Sequence, residues 1–153
     1  MTTVTSNDGT HITYDKLGEG PPLILVGVAF NTRTFGPNGG LAPLLAERFT
    51  VINYDRRGRG DSTDTAPYAV EREIGDIEAL IEEADGSAYV FGISSGAALA
   101  LEAANRGLAL DKLALYESLS SWTIVVPPCR TTVCSGWRAW WPRIVGAMRP
   151  GCS

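Results

Sequence analysis

The sequence predicts an α/β fold, a mostly parallel sheet of about six strands flanked by helices. Three observations lead there. Leu23–Val26 and Thr50–Tyr54 are continuous apolar runs of strand length, as expected of strands buried on both faces. Val70–Glu83 instead places Ile74, Ile77, Leu80 and Ile81 at helical spacing with acids between them. Finally, Gly92-Ile93-Ser94-Ser95-Gly96 joins an apolar strand run to a helical run through a tight turn. Strands alternating with helices argue for parallel pairing, because each return to the same edge needs a crossover.

In chain order, Thr2–Thr5 and His11–Asp15 alternate like strands around Asn7-Asp8-Gly9, a turn signal, so a hairpin is expected. The loop Gly18–Pro22 leads into Leu23–Val26. Residues 31–40, rich in Gly, Asn and Thr, read as loop. Leu41 to Arg48 then sets Leu41, Leu44 and Leu45 on one helical face. Thr50–Tyr54 runs into Asp55-Arg56-Arg57-Gly58-Arg59-Gly60-Asp61-Ser62 and a loop to Pro67. After the amphipathic helix come the strand Ser87–Phe91, the small-residue helix Gly96–Ala104 and a last strand, Leu113–Tyr116. The alanines of that helix let it lie close to the sheet.

At 153 residues the chain is long enough for one domain with a real core, and its 44% hydrophobic and 20% charged composition is that of a globular protein. A net charge of −4 gives no footing for nucleic acid. No apolar run approaches the ~18 residues of a spanning helix. The first nine residues lack the basic start and apolar stretch of a signal peptide, so a cytoplasmic location is expected. The composition breaks near residue 118. All 17 acidic residues lie at or before Glu117, whereas all four tryptophans and all three cysteines lie after it. The body therefore carries −8 and the tail, with Arg130, Arg138, Arg143 and Arg149, +4.

Taken together, Leu25–Phe30, Asp55–Ser62 and Gly92–Gly96 make residues 7–117 resemble the N-terminal half of an α/β-hydrolase, of the esterase, lipase and haloperoxidase-like group. The G-x-S-x-G motif alone is weak. Set between a strand and a small-residue helix, and preceded by D-x-R-G-x-G-x-S, it is specific. The resemblance implies an incomplete α/β-hydrolase fold over residues 1–118, followed by an unrelated, disordered tail over 119–153. It also implies hydrolysis of an ester, amide or related bond of a small molecule. Ser94 would be the nucleophile, with the N–H groups of Ser95 and Ala29 (alternatively Phe30) forming the oxyanion hole. A turn serine that merely caps the helix is the competing reading of Ser94. A serine at this position argues against the carboxylate-dependent displacement of haloalkane dehalogenases. No metal or organic cofactor is implied.

A serine hydroxyl needs a base, usually a histidine oriented by a carboxylate, and in this family both follow the serine. Glu117, after the last strand, is a candidate acid, against a plain loop residue. The sole histidine is His11, far upstream on the hairpin. Turnover by this chain is therefore in question, and a non-catalytic remnant is the alternative. Such a remnant would leave Leu113–Tyr116 as an open, aggregation-prone edge. The acid-free, Arg-, Trp-, Cys- and Pro-rich tail reads like GC-rich coding DNA in a shifted frame. Moving one base across plausible codons for Trp122–Val133 yields an acidic, proline-containing stretch. A zinc site at Cys129 and Cys134 lacks spacing and histidine partners; a membrane-surface role for the tryptophans is the other reading. The substrate and oligomeric state are not encoded in any visible motif.

Overall fold

The computed structural model describes residues 2–116 and the two-residue strand 125–126. Ten elements follow in order: β1 Thr2–Thr5, β2 His11–Leu17, β3 Pro22–Val26, α1 Pro37–Leu45, β4 Thr50–Tyr54, α2 Val70–Glu83, β5 Ala88–Ile93, α3 Ser95–Asn105, β6 Leu110–Tyr116 and β7 Val125–Val126. They form one sheet in the order β1-β2-β4-β3-β5-β6-β7. The inner strands β4, β3, β5 and β6 are parallel, and the hairpin β1–β2 adds antiparallel at one edge.

The topology creates the site. From β3 the chain crosses through α1 to β4 on one side, whereas β5 lies on the other side of β3 and continues outward through α3 to β6. The carboxyl ends of β3 and β5 thus sit where the direction of winding reverses, the place where open α/β sheets form a crevice. Register makes this concrete: Asp15, Asn53, Leu25 and Phe91 lie in one row across β2, β4, β3 and β5.

Alternation along the strands splits the core into two layers. Ile24, Val26, Ile52, Tyr54 and Val90 pack with Ile74, Ile77 and Leu80 of α2 and with Ala97, Ala100 and Ala103 of α3. Leu23, Leu25 and Val51 face Ala42 of α1, with Phe49, Tyr89 and Phe91 at the margin. The alanine face of α3 allows the close approach to the sheet that its composition implied. On the α1 side, coverage stops short of β6, leaving an apolar groove of about 370 Å³ bordered by Leu41, Leu44, Phe91, Ile93 and Tyr116.

Three expectations change. Helix α1 begins at Pro37 rather than Leu41, because proline at its first position presets the helical φ and loses no needed donor. It ends at Leu45 rather than Arg48, and Leu44, on the face it shares with Leu41 and Leu45, is 67% exposed at the groove. The edge at β6 is not wholly open, since Leu113 and Ala114 pair antiparallel with Val126 and Val125. The expected disorder of 119–153, apart from that strand, lies outside the described residues.

Candidate active site

Strand β5 ends in Ser94, which adopts φ 53° and ψ −116°, one of only two non-glycine residues at positive φ among the described residues. Such a conformation costs about 1–3 kcal/mol and persists only where its surroundings enforce it. Here the Ser94 N–H donates to the Tyr116 carbonyl at 2.9 Å, and the Ser94 carbonyl accepts from Ala97 N–H at 2.9 Å. The two flanking glycines permit the turn. A Cβ on Gly92 would stand 2.7 Å from the Ala97 Cα, and one on Gly96 would strike the Val26 carbonyl and lie 2.6 Å from the Gly27 carbonyl oxygen. The start of α3 is thus pressed onto the end of β3.

Ser94 occupies the N-cap position of α3, yet its side chain makes no capping hydrogen bond. The capping alternative raised by the sequence therefore finds no support in the geometry. Beyond it, the first turn of α3 presents N–H groups without intrahelical partners, which favour negative charge at that point. Because Val26 is in register with Gly92, the loop Gly27–Phe30 leaves the sheet beside Ser94. It turns back through a hydrogen bond from Asn31 N–H to the Val28 carbonyl at 3.1 Å. Ser95 and Ala29, the expected oxyanion donors, thus lie on adjacent chain segments.

The turn after β4 looks similar in sequence and behaves differently. Asp55 is buried and accepts from Arg33 N–H at 2.6 Å, Arg33 Nε at 2.9 Å and Asp61 N–H at 3.0 Å. Ser62 Oγ donates to the Asp55 carbonyl at 2.7 Å. Arg57 forks onto Asp76 at 2.8 and 2.7 Å and also reaches Asp8 at 2.8 Å. Arg56 forks onto Glu73 at 2.6 and 2.8 Å. These two guanidiniums are therefore each paired with a buried carboxylate of α2. Asp8 is held well below the ordinary carboxylate range, first by the hydrogen bond from Arg57 and then by that from Thr10. Burial pushes Glu73 upward, but the hydrogen bond from Arg56, aided by Tyr68, leaves it below its ordinary value.

His11 lies at the same edge of the sheet as Ser94 but on β2, three strand spacings away, roughly 14 Å. Its Nδ1 is 3.2 Å from Thr5 Oγ1 on the outer hairpin. Glu117, Cys129, Cys134 and the tryptophans fall outside the described residues. Among the described residues, no group of three His, Cys, Asp or Glu is placed to hold a metal ion, and no helix is long and apolar enough to cross a membrane. Sequence reasoning missed Arg33, Glu73 and Asp76. For the two acids a signal existed: Glu73 is four residues before Ile77, and Asp76 four before Leu80, so both share the apolar face of α2. Arg33 sits in an irregular loop and gave none.

A sequence profile described as the alpha/beta hydrolase family matches residues 21–151, running through the compositional break at 118. The uncharacterized hydrolase YraK of Bacillus subtilis (strain 168) is 36% identical over 99 residues, covering 61% of this chain and 35% of that protein. Among solved structures, an alpha/beta hydrolase from Sphaerobacter thermophilus superposes with a TM-score of 0.73 at 48% identity, covering 95% of this chain and 55% of that one. An esterase from Exiguobacterium antarcticum gives 0.66 at 26% identity, covering 78% and 46%. The chain thus spans roughly a third to just over half of these relatives.

Proposed function

Since the chain belongs to the alpha/beta hydrolase family, we propose that its crevice is a serine-hydrolase site acting on an ester, amide or related acyl bond of a small molecule. The observation that carries this reading is the uncapped Ser94 hydroxyl on a positive-φ turn, directly beside the Gly27–Phe30 loop. In the proposed reaction Ser94 Oγ attacks the carbonyl carbon and its proton passes to a base. The oxygen that gains the electron pair is received by the N–H groups of Ser95 and Ala29, and collapse expels the alcohol or amine to leave an acyl-enzyme. Water then releases the acid. Glu117 is proposed as the carboxylate that would orient an imidazole.

A second reading is favoured by one observation, the position of His11. At roughly 14 Å it cannot take the Ser94 proton. On this reading the 153 residues form a hydrolase-derived scaffold without turnover. The composition of 119–153 is proposed to reflect a shifted coding frame, which the nucleotide sequence downstream would test. An uninterrupted downstream frame lacking hydrolase-like strands and a histidine would end that idea.

A p-nitrophenyl ester assay separates the two functional readings. Hydrolysis that disappears in Ser94→Ala supports the enzyme. Hydrolysis no faster than that of Ser94→Ala supports the scaffold.

A further inference from the structure

We propose that Arg56 is a positioning residue for the oxyanion site, tying the loop after β3 to the start of α3 through a guanidinium anchored on Glu73. This rests on the serine-hydrolase reading for its catalytic meaning, though not for its geometry.

The Arg56 and Glu73 side chains are only 7% and 2% exposed. Nε and Nη2 of Arg56 donate to the two Glu73 oxygens, a parallel fork that fixes the plane of the guanidinium. Tyr68 Oη donates to the same carboxylate at 2.9 Å and restrains it further. With two corners held, the third nitrogen, Nη1, can point in only one direction. It donates at 3.3 Å both to the Gly27 carbonyl and to Ser95 Oγ.

Those two acceptors are informative. Gly27 opens the loop that carries Ala29 N–H, and Ser95 is the residue whose own N–H lies at the head of α3. One rigid group therefore sets the spacing between the chain segments bearing both proposed donors. An oxyanion hole works only when its donors are aimed before charge develops, so a loosened loop costs rate rather than substrate affinity. Lysine cannot replace this arrangement, because a single ammonium lacks the planar fork needed to satisfy Glu73 and reach both segments. Arg56 does not reach the reacting atoms itself; it acts through the backbone it holds.

A buried pair of this kind could serve packing alone, so the test must separate the two roles. Replacing one partner strands a buried charge, whereas replacing both commonly preserves stability. The double variant Arg56→Met/Glu73→Gln keeps an acceptor for Tyr68 and removes the tie. Two readouts are taken on the full chain: Ser94 phosphonylation by a fluorophosphonate ester, resolved into maximal rate and half-saturating concentration, and backbone ¹⁵N order parameters. The expected result is a thermal midpoint close to wild type and a maximal labelling rate about 10- to 100-fold lower at an unchanged half-saturating concentration. Order parameters at Val28 and Ala29 should fall from about 0.85 toward 0.6, while those of Ile24 and Ile52 stay fixed. A folded double variant with unchanged rate and unchanged loop order parameters overturns the inference. If wild type and Ser94→Ala label equally, it is the serine-hydrolase reading that fails. The order parameters then decide the positioning role alone: their constancy at Val28 and Ala29 refutes it.

Discussion

Two glycine-rich turns leave this sheet at its carboxyl edge, one after β4 and one after β5, and they use their polar groups in opposite ways. After β4, Asp55, Arg56, Arg57 and Ser62 all have partners within the protein. After β5, the Ser94 hydroxyl is left without a cap partner although it sits where a cap would form. Those four residues of the β4 turn are spent on partners and act as scaffold. The β5 turn instead holds a hydroxyl in a strained conformation without a cap partner, and that hydroxyl is the one we propose as nucleophile. The β4 turn nonetheless serves the other, because through Arg56 it reaches the two segments that flank Ser94.

The contrast can be attacked from the scaffold side first, where the largest effect is expected. Arg57→Met leaves Asp76 buried without its partner, and chemical denaturation should register a loss of about 3–5 kcal/mol. Gly96→Ala forces a methyl against the Val26 and Gly27 carbonyls, and the same measurement should show a loss of about 1–3 kcal/mol. Wild-type stability in that variant would mean that α3 does not depend on the close approach seen here.

The β5 turn should respond in the opposite sense. Ser94→Gly relieves the positive-φ strain, offset by the chain entropy of glycine, so a gain of about 1 kcal/mol is expected. A loss would mean that the serine side chain stabilises the turn after all. The smallest effect concerns pH. Asp8 and Glu73 both titrate in the folded protein below their ordinary values. Their contribution is therefore fully present above about pH 5 and is lost as the pH falls through the folded values. Asp8→Asn should lower stability at pH 7 by about 1 kcal/mol and flatten the acid limb of a denaturation series.

Much of this architecture was legible from residues alone, for reasons that differ by element. Strand β4 and helix α2 appear with the bounds their patterns imply, because Thr50–Tyr54 and Val70–Glu83 have unmixed periodicity. Helix α1 starts four residues before the expected Leu41 and ends at Leu45 rather than Arg48, since Pro37-Asn38-Gly39-Gly40 has loop composition and only the proline hints at a helix start. The pairing of Val125–Val126 onto β6 was not legible, because two residues carry no alternation. At the site, Ser94 and its glycines followed from motif and context. The Arg33–Asp55 and Arg56–Glu73 pairs did not, because they join residues 22 and 17 positions apart whose juxtaposition only the folded sheet creates.

The central claim is that Ser94 is held as an unspent nucleophile. Peptide mapping after prolonged exposure to a fluorophosphonate tests it most directly. The account predicts a single phosphonyl adduct on Ser94, absent from Ser94→Ala. Adducts scattered over exposed serines and tyrosines, with Ser94 no more labelled than the rest, would contradict it.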